Sequence, residues 1–104
     1  MAALNINAKQ YEELILGQKP VMVDFWAPWC TYCRRIEPAL NKLADTREDV
    51  LIVKVNIDEE PELAGRERIE VIPTLIVYKA GYELGSIVAP ESRARIEEFL
   101  AETL

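Results

Sequence analysis

Histidine is absent from all 104 residues. Without an imidazole there can be no Ser-His or Cys-His nucleophile, and no His-bearing zinc site. Cysteine occurs only twice, as Cys30 and Cys33, too few to close a four-ligand metal site unless two chains share it. Positive charge is also in short supply. Twelve Lys and Arg against eighteen Asp and Glu give a net charge of −6, the wrong sign for nucleic acid or an anionic membrane surface. No apolar run approaches the ~18 residues that a membrane span requires. Residues 1–7 lack the basic region and apolar run of a signal peptide, so the expected compartment is the cytoplasm. No G-x-G-x-x-G loop offers a nicotinamide or flavin site. Neither a metal nor an organic cofactor is implied.

What remains is an ordinary globular balance, 50% hydrophobic and 29% charged. The length suits one domain, 1–104, with a core that needs no covalent staples. There is no repeat, low-complexity tract or linker. Leu4 and Ile6 fit a short first strand. Asn7 reads as a helix N-cap with Gln10 completing a capping box, and Tyr11, Leu14 and Ile15 share one helical face, with Gly17 placed to end the helix in the left-handed region. Residues 21–26 form a near-continuous apolar run that suits a central strand. A helix is expected from about 31 to 46, with Pro38 inside it. Residues 51–57 read as a second buried strand, and Asp58 as the cap of a short helix through Leu63 and Ala64. Residues 74–78 and 84–88 read as an antiparallel pair joined by a turn at 79–82. Ser92 caps a last helix carrying Ile96, Phe99, Leu100 and Leu104. The order βαβαβ followed by ββα predicts a mixed α/β sheet between helices.

The two cysteines stand at C-x-x-C spacing just after the strand at 21–26, where open α/β sheets place their sites. Three-residue spacing on a helix brings both sulfurs to one face, within bonding reach. The helix N-terminus supplies unpaired N–H groups and partial positive charge, which favour a thiolate over a thiol. Cys30, nearest that end, is therefore the candidate nucleophile. Cys33, inside the helix, is the candidate for resolving a mixed disulfide. A purely structural bridge is the weaker reading, because so short a loop adds only about 2 kcal/mol before strain is subtracted.

The segments Val23-Asp24-Phe25-Trp26-Ala27-Pro28-Trp29-Cys30, Cys33 with Pro38, and Val53-Lys54-Val55-Asn56-Ile57-Asp58 resemble the thioredoxin family. So do Ile72-Pro73-Thr74-Leu75 and Glu98-Phe99-Leu100, and the resemblance spans the chain. It implies the thioredoxin fold, a five-stranded sheet in the order 1-3-2-4-5 flanked by four helices. It also implies a dithiol–disulfide oxidoreductase that reduces client proteins and is itself reduced by a separate thioredoxin-type reductase, as a monomer. The family is itself the standard example of a lowered thiol pKa in a C-x-x-C motif.

Asp24 falls in the most apolar strand, where desolvation raises a carboxyl pKa. The resemblance places it beneath Cys33 as proton acceptor, and Lys54 on the neighbouring strand as its partner. Lysine snorkelling to the surface is the other reading of Lys54. Pro73 resembles the family's cis-proline facing the cysteines. Trp29, Tyr32, Ile72 and Pro73 form an expected apolar collar for docking clients, with Trp26 packed beneath. Three departures mark this chain. Thr31-Tyr32 replaces the usual Gly-Pro, Val71 stands where a small residue is common, and Ala89 where a glycine usually precedes the last helix. The dipeptide bears on the reduction potential, the other two on the client groove. The competing functions are a less reducing oxidase or isomerase, and a binding module without turnover.

Overall fold

Strand β2 (Val21–Trp26) is buried along its first five residues and lies at the centre of a five-stranded sheet. The computed structural model describes residues 3–104. Around β2 the chain lays down β1 (Leu4–Asn5), α1 (Ala8–Ile15), α2 (Thr31–Thr46), β3 (Leu51–Asn56), α3 (Pro61–Arg66), β4 (Thr74–Lys79), β5 (Tyr82–Val88) and α4 (Arg93–Thr103). The strand order is β1-β3-β2-β4-β5, with β1, β3 and β2 parallel and β4 and β5 antiparallel additions. This is the order that the family resemblance implies.

Alternation along β2 divides the interior into two layers. Met22 meets Ile36, Leu40 and Leu43 of α2 and Ile96, Phe99 and Leu100 of α4. Val21, Val23 and Phe25 meet Tyr11 of α1 and Leu63 of α3 on the opposite face. Asp24 has the parity of Met22, so its carboxyl is directed into the α2 side of the sheet. Burial on this scale contributes about 1.5–3 kcal/mol per large side chain, and it fixes the register that carries the site.

Local signals act mostly where expected. Asn7 accepts from the Gln10 backbone N–H while the Gln10 side chain accepts from the Asn7 N–H, a complete capping box. Gly17, however, is not left-handed; α1 stops through Leu16 in the right-handed region. The carbonyls at that end are satisfied from another part of the chain, since Gly81 N–H donates to Ile15 and Ala80 N–H to Gly17. Asp58 does not cap α3 either. Glu60 occupies the cap position without a side-chain bond, and Pro61, with φ already helical, starts the helix. Asp58 instead lies in a turn in which its N–H donates to Asn56 Oδ1.

The peptide bond between Ile72 and Pro73 is cis. The turn it makes is backed by residue 89, whose N–H donates to the Pro73 carbonyl at 2.9 Å. Ala89 adopts φ +45° to do so, a conformation that glycine adopts without the Cβ clash.

The β4–β5 hairpin turns through Ala80 (φ 52°) and Gly81 (φ 84°). Positive φ at both central residues is the type I′ requirement, for which Asn-Gly is preferred. Ala80→Asn should therefore raise the unfolding free energy by about 0.5–1 kcal/mol. Urea denaturation of the oxidised protein will read this, and a loss of stability would contradict the turn assignment.

Candidate active site

The end of β2 turns through Ala27, Pro28 and Trp29 and delivers Cys30 to the N-cap position of α2. There the Cys30 sulfur accepts a hydrogen bond from the Cys33 backbone N–H at 3.1 Å. The sulfur thus occupies the place of a capping oxygen and faces the positive end of a 16-residue helix. Cys30 and Cys33 are joined as a disulfide, with Cα atoms 5.3 Å apart. Cys30 retains 9% of its surface and Cys33 only 2%. The first sulfur is at the rim and the second beneath it, the order an attacking and a resolving thiol require.

The cis turn at Pro73 lies across from the pair, bringing the Ile72 carbonyl oxygen to 3.9 Å from the Cys30 sulfur. Ala27, Cys30 and Cys33 form one small apolar cluster, with Trp26, Tyr32, Ile57 and Ile72 packed against it. Trp26 lies beneath the site as expected, its Nε1 donating to Asn5 Oδ1.

The collar is less uniform than its composition suggests. Trp29 is 66% exposed and fixed by a bond from Nε1 to Asp58 Oδ2 at 2.9 Å. Tyr32 is half-buried, and its hydroxyl donates to the Pro90 carbonyl at 2.8 Å. Tyr32 therefore serves α2 and the loop before α4 as much as the rim. Thr31 opens the helix and is exposed, and Pro73 is buried. Val71 is exposed, with its carbonyl accepting from the Thr74 hydroxyl. Ala89 is half-buried in the strand-to-helix connection.

The central strands also carry buried charge. Asp24 is 1% exposed, and its Oδ1 has no hydrogen-bond partner. Burial pushes its carboxyl up to about 7, against the lowering influence of Lys54 and with a further push from Glu37. Desolvation is thus the dominant effect and the lysine does not reverse it. Lys54 neighbours Asp24 in the β2–β3 register, as the resemblance implies. Its ammonium, however, lies 3.7 Å from Glu37 Oε2 and 4.6 Å from the centre of the Trp26 ring.

Three participants carry little or no signal in the sequence. Glu37 follows Cys33 by four residues, a spacing that marks a shared helix face and could have pointed to it. Asp58 reads as a helix cap, and nothing local links it to Trp29. Pro90 enters only through its carbonyl, which no sequence pattern marks.

Comparison with known proteins agrees with this geometry. The thioredoxin family model matches residues 2–102. The thioredoxin of Alicyclobacillus acidocaldarius is 36% identical over 104 residues, 99% of each chain. That of Acidithiobacillus ferridurans is 39% identical over 105 residues, covering 99% of this chain and 97% of its own. The crystal structure of Malassezia sympodialis thioredoxin superposes with a TM-score of 0.88 at 28% identity, over 98% of this chain and 90% of that one. No helix among the described residues is long and apolar enough to cross a membrane. A helix-capping sulfur bonded to a buried partner, opposite a cis-proline in a 1-3-2-4-5 sheet, thus meets end-to-end sequence likeness, and the chain belongs to the thioredoxin family of thiol–disulfide oxidoreductases.

Proposed function

We propose that the chain is a cytoplasmic, monomeric, single-domain reductant of protein disulfides, served by a separate thioredoxin-type reductase. In its dithiol form the Cys30 thiolate attacks one sulfur of a client disulfide. A Cys30–client bond forms, and the client's other sulfur leaves as a thiolate. Cys33 then gives its proton to the Asp24 carboxylate and attacks the Cys30 sulfur. The second client thiolate departs, the Cys30–Cys33 bond closes, and two electrons have passed to the client. The reductase returns two electrons to the disulfide.

The observation that carries this reading is the Cys33 N–H directed at the Cys30 sulfur from the helix mouth. A charge-assisted bond of this kind stabilises the attacking thiolate and, equally, Cys30 as a leaving group. Asp24, with its carboxyl raised to about 7, is matched to accept and return a proton near neutrality. Trp29, Thr31, Tyr32, Val71, Ile72 and Ala89 are assigned to client docking around the cis turn. A less reducing, isomerase-type role is the second reading, favoured by Thr31-Tyr32 between the cysteines.

Cys33→Ser should stall with the client attached to Cys30, whereas Cys30→Ser should form no adduct. In the reduced protein, iodoacetamide should label Cys30 well before Cys33, read by mass spectrometry of the peptides. Equal labelling would count against these roles. Equilibration with glutathione buffers separates the two directions: a reductant stays largely oxidised until reduced glutathione is in great excess. A binding module without turnover would keep its activity in the Cys30→Ser, Cys33→Ser double variant.

The buried carboxyl also sets a pH dependence. Its ordinary value is 3.8 and its folded value about 7, so between them the folded state binds one proton more than the unfolded state. Stability from this group is present below about pH 4 and is lost as pH rises to about 7. Asp24→Asn should therefore gain on the parent across that window, by up to about 1.4 kcal/mol per pH unit. Urea unfolding of the oxidised proteins from pH 4 to pH 8 checks this; a constant difference would mean Asp24 is not titrating there.

A further inference from the structure

Glu37 stands on α2 four residues beyond Cys33, the spacing that puts two side chains on one helical face. Its side chain is 38% exposed, while that of Lys54, 3.7 Å away, is 7% exposed. Lys54 is the one ion-pair partner of Glu37 among the described residues. The ammonium is held from a second side by the Trp26 ring, 4.6 Å from its centre. Strand register sets Lys54 beside Asp24, yet Asp24 Oδ1 is left without a hydrogen bond.

Desolvation explains the choice. Pairing Lys54 with Asp24 would bring together two fully buried charges, each stripped of water. Glu37 keeps part of its hydration, and the indole face attracts the ammonium without a second ion to desolvate. We propose that Glu37 is a positioning residue that holds the Lys54 ammonium off Asp24, and thereby keeps the Asp24 carboxyl able to carry a proton. This rests on Asp24 being the proton acceptor for Cys33.

The surroundings of Asp24 leave few other groups to account for. Strand β3 presents Lys54, α2 presents Glu37, and β4 presents the apolar Leu75 opposite Asp24. Helix α4 contributes Ile96, Phe99 and Leu100 to the core on this side of the sheet. Glu37 therefore acts on Asp24 in two ways of the same sign. Its own negative charge disfavours a second carboxylate, and it occupies the cation that would favour one.

The test is an NMR titration of the Asp24 carboxyl carbon in the oxidised protein, its signal identified by loss in Asp24→Asn. Glu37→Gln should lower the proton affinity of Asp24 at least about threefold, a midpoint drop of about half a pH unit. Glu37→Ala should move it the same way, and Lys54→Gln should raise it. In the Lys54→Gln background, Glu37→Gln should retain less than half of its effect, because most of that effect runs through the lysine. An unchanged midpoint in both Glu37 variants overturns the proposal. So does an equal drop with and without Lys54, which would leave only direct repulsion between the carboxylates. The pH profile of mixed-disulfide resolution separates the two levels. If the Asp24 midpoint drops while that profile stays in place, the hold of Glu37 on Lys54 stands and the role of Asp24 as proton acceptor falls.

Discussion

The bond from the Cys33 N–H to the Cys30 sulfur is the contact on which the rest of the site depends. A helix begins with N–H groups that lack partners, and a small polar side chain at the cap normally satisfies one. Here a sulfur takes that position, so one interaction starts the helix and favours the anionic form of that sulfur once the disulfide is reduced. The arrangement requires a strand ending at residue 26, a short bend, and a helix starting at 31, each at its own place in the chain. Moving Cys30 one residue along would take its sulfur away from the cap, leaving the pairing chemistry without its electrostatic support.

The second constraint is charge inside an apolar layer. Strand register puts Asp24 and Lys54 side by side in the two most buried strands. Coulomb attraction alone predicts a tight pair, about 4 kcal/mol at 4 Å for an effective dielectric constant of 20. Burial opposes it, and the raised Asp24 carboxyl shows that burial prevails. The lysine is drawn instead to the half-exposed Glu37 and the Trp26 ring. The outcome is an acid poised near neutrality inside the sheet, in an unfavourable position that the surrounding apolar core is large enough to sustain.

Much of this is legible from residues alone, because it follows from periodicity. The largely apolar runs at 21–26 and 51–57 announce central strands, and alternation assigns Asp24 and Met22 to the same side. The capping box at Asn7 and the helix at 31–46 are equally local. What stays hidden depends on contacts between distant segments. Gly17 looks like a helix terminator, yet the carbonyls around it are taken by Ala80 and Gly81 across the fold. Asp58 looks like a cap, yet Pro61 starts the helix and Asp58 holds Trp29. The family resemblance, not the residues alone, sets Lys54 beside Asp24, and the lysine side chain is long enough to reach Glu37 and the Trp26 ring instead.

Tyr32 joins these two levels. It sits between the cysteines, where its backbone belongs to the first turn of α2, and its hydroxyl reaches the Pro90 carbonyl. The adjacent Ala89 N–H donates to the Pro73 carbonyl. The dipeptide between the sulfurs is thereby linked, through residues 89 and 90, to the cis turn that faces them. A Gly-Pro pair has no side-chain hydroxyl with which to make this connection. In this chain the helix mouth and the cis turn are therefore held as one assembly. The positive φ of Ala89 is part of the same strap, retained although a glycine would adopt it more easily.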